Sequence, residues 1–97
     1  MLAEQPADVF LRYSLAMELQ KEGRHDESLD RFRDLMSDEP PYVPAFFMSA
    51  KQLVELGRIA EARAALREGV DEARRRGDHH AASEMSELLA TLGHAQS

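Results

Sequence analysis

A five-residue phrase occurs twice in this chain at a fixed distance. Residues 23–27 and residues 57–61 both read Gly-Arg-x-x-Glu, so the copies lie 34 positions apart, from 23 to 57. Self-similarity at a period of this size is typical of repeat proteins in which each unit is one supersecondary element. The phrase therefore predicts a chain built from two copies of one small structural unit.

Apolar residues recur every three or four positions in five stretches bounded by glycine or proline, which predicts five helices. We expect them over about 8–22, from 26 until the Pro40-Pro41 pair, 44–56, 60–76 and 78–92, with a frayed tail from Gly93. Glycines 23, 57 and 77 should end the helices that precede them. Asp26 and Asp78 should be the N-caps of the second and fifth helices.

The spacing also predicts which side chains pack inside. On the first helix, we expect the core face to consist of Leu11, Leu15, Ala16 and Leu19. Gly69 lies inside the fourth helix, where glycine costs about 1 kcal/mol relative to alanine. We therefore expect Gly69 to permit a close approach of the fifth helix.

The two halves, superposed with this offset, pair Val9 with Val43, Ala16 with Ala50, Leu19 with Leu53, Gly23 with Gly57, and Arg33 with Arg67. Within each unit, large and small residues also follow a characteristic spacing: Leu15, Ala16, Leu19, Ser28, Phe32 and Pro40 in the first, and Phe46, Ala50, Leu53, Ala62 and Leu66 in the second. This spacing over residues 9–76 resembles the tetratricopeptide repeat. Arg12 stands where that pattern has tryptophan, and Arg74 where it has the final proline.

The resemblance implies an all-α fold, an α-solenoid fragment of two antiparallel helical hairpins plus a closing helix. We expect a single domain over 1–97, with repeats at 9–42 and 43–76 and a C-terminal capping helix at 78–93. An ordinary five-helix bundle with a coincidental repeat is the alternative.

Composition excludes several classes of function. The 97 residues include no cysteine, which rules out disulfides and thiolate zinc sites, and the formal charge of −6 argues against nucleic-acid binding. We expect the Arg74-Arg75-Arg76 cluster to be a solvated helix end, paired with Asp71 or Glu72. No stretch approaches the ~18 apolar residues of a membrane span, and the N-terminus does not resemble a signal peptide. We expect a cytoplasmic protein without a membrane partner.

The sequence offers little for catalysis. The acidic residues are scattered over expected helix surfaces, and the histidines (His25, His79, His80 and His94) lack the spacing of four with which one helix presents two metal ligands. We therefore predict no catalytic residues, metal or cofactor, and a protein that is not an enzyme.

A second apolar stripe runs along the first helix of each hairpin. In the family that the chain resembles, this face lines a concave groove that receives a peptide or helix of a partner, and aromatic and methionine side chains suit that role. The groove residues that the resemblance implies are Phe10, Tyr13, Met17, Gln20, Lys21, Phe47, Met48, Lys51 and Val54. The alternative is that this stripe widens the core.

These observations predict a non-enzymatic module that binds a protein or peptide partner in the groove. The alternative is a scaffold that forms homo-oligomers through its exposed face or solenoid ends. An enzyme of unknown class is a third and remote alternative.

Overall fold

The structure is a computed structural model that describes the backbone of residues 4–96 and the side chains of residues 8–93. The described chain forms five α-helices and contains no strand. They are α1 (Glu4–Lys21), α2 (His25–Met36), α3 (Val43–Glu55), α4 (Ile59–Arg75) and α5 (His79–Gln96). Helices α1 and α2 form one hairpin, α3 and α4 form the second, and α5 packs on α4. This is the all-α solenoid that the sequence predicts.

One turn geometry joins helices at three places. The glycines Gly23, Gly57 and Gly77 have φ angles of +79°, +78° and +76°, a left-handed conformation that side chains with a Cβ rarely adopt. At the first turn, the N–H of Arg24 donates to the carbonyl of Leu19 at 3.0 Å, and the other two turns have the equivalent bond at 2.8 Å. This is the Schellman motif, and it confirms that these glycines end helices.

The repeated phrase also contains an ion pair. Arg24 Nε contacts Glu27 Oε1 at 2.5 Å, and Arg58 Nε contacts Glu61 Oε2 at 2.9 Å. These hydrogen bonds from arginine lower the pKa values of both glutamates. Gly-Arg-x-x-Glu therefore combines a glycine turn with an arginine–glutamate bridge across the first turn of the next helix.

Some helix ends differ from those expected. Helix α2 begins at His25 with Arg24 as its N-cap residue, so the prediction that Asp26 is the cap was wrong. The same helix ends at Met36, before the proline pair. Helix α5 continues through Gly93 to Gln96, beyond the end that we expected at residue 92. The cap at Asp78 is confirmed, because its Oδ1 accepts a hydrogen bond from the Ala81 N–H at 3.2 Å.

The buried apolar residues form two clusters. The larger joins α3, α4 and α5 and includes Phe46, Leu66 and Met85. At its centre, a Cβ added to Gly69 would lie 2.6 Å from Met85 Sδ and 2.7 Å from Phe46 Cβ. The close approach of α5 that we expected from Gly69 is therefore confirmed.

The smaller cluster joins α1, α2 and the start of α3, and consists of Ala16, Phe32, Leu35 and Ala45. A polar network lies beside it. Ser28 Oγ donates to the Ala16 carbonyl at 2.9 Å and lies 3.2 Å from Gln52 Oε1. Gln52 Nε2 lies 2.9 Å from a ring nitrogen of His25. Since Ser28 and Gln52 are fully buried, these bonds satisfy groups whose desolvation would otherwise be costly.

The core face predicted for α1 was wrong in part. Ala16 and Leu19 are buried, but Leu11 is 68% exposed and Leu15 is 41% exposed. Helix α1 packs mainly against α2, and the side that carries both leucines faces away from it. Apolar spacing alone does not show which side of an end helix has a neighbour.

Two arginines bind the segment between α2 and α3 through hydrogen bonds. Arg12, at the position of the family tryptophan, contacts the Asp38 carboxylate at 2.8 and 3.1 Å. Arg76 donates to the carbonyl of Pro41 and contacts Glu72 at 3.0 Å. The expected pairing of the arginine cluster with Glu72 is confirmed, but Arg76 also makes a tertiary contact, so the cluster is more than a solvated helix end.

Within residues 4–96, no helix has the length and apolar character that crossing a membrane requires.

Candidate functional site

Two adjoining hollows lie on the face formed by α1, α3 and α5, and we call them together the groove. The first has a volume of about 160 Å³. Its lining residues are Tyr13, Val43, Pro44, Phe47, Met48, Asp78, Ala81, Glu84 and Met85. The second has a volume of about 390 Å³ and runs along α1. Its lining residues are Phe10, Tyr13, Ser14, Met17, Glu18 and Lys21. Tyr13 lines both hollows, so the two form one continuous surface.

The apolar candidate residues in the groove differ in exposure. Phe10 is 63% exposed, whereas Tyr13, Met17, Phe47 and Met48 are half-buried. The stripe is therefore neither wholly core nor wholly free surface. Its half-buried members pack on the core with one side and line the groove with the other.

Tyr13 shows how such a residue is held. Its ring makes edge-to-face contacts with Phe32 and Tyr42, at centroid distances of 5.9 and 5.2 Å. Burial, with a smaller contribution from Tyr42, raises the Tyr13 pKa above its ordinary value of 10.0. The phenol therefore stays neutral at physiological pH, and its ring is held by aromatic contacts while the residue lines the groove.

The positive charge of this face comes from the only two lysines in the sequence. Lys51 Nζ lies 4.8 Å from the centre of the Phe47 ring, which is a cation–π contact. Lys21 lines the hollow along α1, beside Glu18. Lys51 itself lines neither hollow, and neither do the remaining candidate residues, Gln20 and Val54, which are half-buried.

Helix α5 contributes groove residues that sequence reasoning missed. Ala81, Glu84 and Met85 form one wall of the smaller hollow. The signal was the repeat period itself, since Phe47 shifted by 34 positions falls on Ala81. The superposition of the two halves ended at residue 76 and so did not include α5.

A further hollow of about 440 Å³ lies beside the start of α1 and the segment between α2 and α3. The two arginines that line it are Arg12 and Arg76, and both already bind carboxylates of the chain. Among the described residues, no three histidine, aspartate or glutamate side chains come together as metal ligands. The two positive charges of this region are therefore already paired with carboxylates of the chain.

The fold has close counterparts among solved structures. A solution NMR structure of a tetratricopeptide repeat domain protein from Salinibacter ruber is 29% identical, with a TM-score of 0.82 over 92% of this chain and 90% of that one. A crystal structure of a tetratricopeptide repeat domain protein from the same organism is 27% identical, with a TM-score of 0.78 over 88% of this chain and 96% of that one.

Comparison of the sequence with protein families gives the same assignment. The family model described as tetratricopeptide repeat matches residues 19–90, which is most of the chain. No curated protein matches the sequence. The repeated turn, the two hairpins and the family match together show that this chain belongs to the tetratricopeptide repeat family.

Proposed function

We propose that this chain is a non-enzymatic protein interaction module that binds a peptide or a helix of a partner protein in the groove. The tetratricopeptide repeat fold supports a role in protein interaction in general. The proposal assigns that role to the face between α1, α3 and α5.

The observation that carries the proposal is an exposed aromatic ring beside half-buried apolar side chains. Phe10 is 63% exposed and lines the same hollow as Tyr13 and Met17. Half-buried side chains are already ordered on one side, so a partner that covers them loses less side-chain entropy on binding. Aromatic and methionine side chains also offer large contact areas.

The shape of the groove favours a peptide over a small metabolite. Small-molecule sites are commonly enclosed cavities of about 300–1,000 Å³ with a few convergent polar groups. The smaller hollow, of about 160 Å³, lies below this range and has a size suited to one or two side chains. The larger, of about 390 Å³, is lined by residues of α1 alone, so it is an open surface and not an enclosed cavity. Its polar groups are the Tyr13 hydroxyl and the carboxylates of Asp78 and Glu84, and Asp78 already caps α5. These groups are a poor basis for catalysis.

Affinity capture from the source cell with matched variants tests the proposal. The double variant Phe10→Ala, Lys51→Glu changes an exposed side chain that lines the groove and the exposed lysine that lies over the groove residue Phe47, and it should leave the melting temperature nearly unchanged. Leu56→Ala is the control, because Leu56 is 36% exposed and lies outside both hollows. A partner recovered by the native chain and by the control, but lost from the double variant, supports the groove.

Equal recovery by the double variant refutes the proposal. Sedimentation of the purified chain tests the alternative of self-association. A stable dimer that the double variant dissociates would assign the groove to a second copy of the chain.

A further inference from the structure

A second surface lies on α1 beside the groove, and of its residues only Glu18 also lines a groove hollow. Residues Leu11, Leu15, Glu18 and Glu22 are spaced by four, three and four positions, so they form one stripe along the helix, which we call the outer stripe. Leu11 is 68% exposed, Leu15 is 41% exposed, and both glutamates are exposed. The outer stripe therefore consists of an apolar half followed by an acidic half.

The opposite end of the solenoid differs in character. Ser83, Glu87 and Thr91 are spaced by four on α5 and are all exposed. That end has a polar surface, as expected of a helix that closes a repeat array. The exposed leucine pair is thus specific to the α1 end, where a neighbouring helix would bury it.

We propose that the outer stripe binds an amphipathic helix of a partner protein that places large apolar side chains on the leucines and lysine or arginine on the glutamates. The exposed charge of the outer stripe is acidic, and Glu18 makes no ion pair with another described side chain. Glu22 contacts Arg24 at 3.3 Å, but Arg24 makes its shorter contacts with Glu27. Opposite charge at these positions fixes the register of the partner and excludes acidic helices.

A second copy of this chain suits the outer stripe less well. Two copies packed antiparallel, leucine against leucine, bring Glu18 of each copy towards Asp8 of the other. This arrangement juxtaposes like charges, which is unfavourable. The apolar half of the outer stripe is separate from the groove, because neither Leu11 nor Leu15 lines either hollow.

Synthetic helical peptides provide the probe. One carries two leucines, four positions apart, followed by lysines seven and eleven positions after the first leucine. A second has glutamate in place of the lysines, and both are also made with the reversed sequence, so that parallel and antiparallel packing are each sampled. Titration by fluorescence anisotropy gives the dissociation constants, and amide NMR shifts of the labelled protein locate the contact.

We expect a lysine peptide to bind, with affinity that falls as salt rises, and the glutamate peptides not to bind. The double variant Leu11→Gln, Leu15→Gln should weaken binding about tenfold or more. It should fold normally because both side chains are exposed. Leu56→Gln is the control and should bind like the native chain. Glu18→Lys with Glu22→Lys should reverse the preference towards the glutamate peptide.

Two binding results would overturn the inference: no binding of either lysine peptide, or equal binding of the glutamate peptides. Amide shifts confined to the groove side, at Phe10 and Met17, would also overturn it. So would a dimer of the native chain that the leucine double variant dissociates. The last would assign the outer stripe to a second copy. Loss of groove binding in the capture experiment, by contrast, leaves these titrations unchanged, so the two proposals fail independently.

Discussion

Substitution of Gly69 by alanine has two opposing effects on stability. Alanine at an interior helical position normally gains about 1 kcal/mol over glycine. Here its Cβ would lie 2.7 Å from Phe46 Cβ and 2.6 Å from Met85 Sδ. Carbon atoms in contact are normally about 3.5 Å apart, so α3 and α4 would have to separate by about 0.8 Å. Because the Phe46 Cβ is attached to the backbone, rotation of a side chain does not relieve this contact.

Overpacking of a core typically costs about 1–3 kcal/mol. Subtracting the gain in helix propensity leaves about 0–2 kcal/mol. Because the contact with Phe46 Cβ cannot be relieved by a side-chain rotation, we expect Gly69→Ala to lower the free energy of unfolding by an amount in the upper half of this range, about 1–2 kcal/mol. For a chain of this size, each kcal/mol lowers the melting temperature by roughly 4–8 °C. Thermal unfolding followed by circular dichroism measures the change.

Gly93→Ala is the matched control for this experiment. Gly93 also lies in a helix, but a Cβ there meets nothing within 4 Å. We expect it to be neutral or to gain up to about 1 kcal/mol, less than at a mid-helix site because it lies near the end of α5. If Gly69→Ala were as stable as the native chain, or more stable, the close contact of α3, α4 and α5 at Gly69 would be refuted.

Three further perturbations test separate features. Gly57→Ala should lower the free energy of unfolding by about 1–2 kcal/mol in urea titrations, because alanine is strained at a φ of +78°; no loss would contradict the assigned turn. Arg12 and Asp38 should show a coupling of about 0.5–1 kcal/mol in a double-mutant cycle, and zero coupling would show that their contact is not stabilising. Hydrogen bonds from Arg75 and its neighbour lower the pKa of Glu72 below 4.5, so its stabilisation is present above about pH 4.5 and is lost as the pH falls through the folded-state pKa. Glu72→Gln should therefore flatten the acid side of the stability profile, and an unchanged acid slope would contradict this reading.

The sequence was sufficient to predict the helices and the turns between them, because few residue types adopt the backbone conformation that ends a helix. A left-handed φ favours glycine, so glycines at matched positions mark the ends of helices. Ala16 and Ala50, which also match across the repeat, are both fully buried. Gly69 is informative for a related reason, since glycine inside a helix indicates a close neighbour.

Features that depend on neighbours outside the local sequence were not predictable in the same way. Helix α1 carries apolar residues on several sides, and spacing does not show which side lacks a partner; Leu11 and Leu15 were therefore assigned to the core. Asp26 has the residue type of an N-cap, but the turn places Arg24 at that position. The ion pair of Arg12 spans 26 positions, so its partner Asp38 was not evident from helical spacing.

The groove was predictable in part because it follows the repeat. Phe10, Tyr13, Met17, Lys21, Phe47 and Met48 all line the two hollows. Their degree of burial was not predictable, since it depends on how far α3 and α5 cover each side chain. The wall formed by α5 would have been found by extending the 34-residue period beyond the second hairpin.

Amide NMR shifts of the isotope-labelled chain, recorded with a captured partner or its binding segment, test the central proposal most directly. We expect the perturbed residues to cluster on the groove, at Phe10, Tyr13 and Met17 of α1 and at Phe47 and Met48 of α3. The amides of α2 and of the exposed side of α4 should change little. Shifts confined to α2 and α4, with the groove unperturbed, would contradict the proposal.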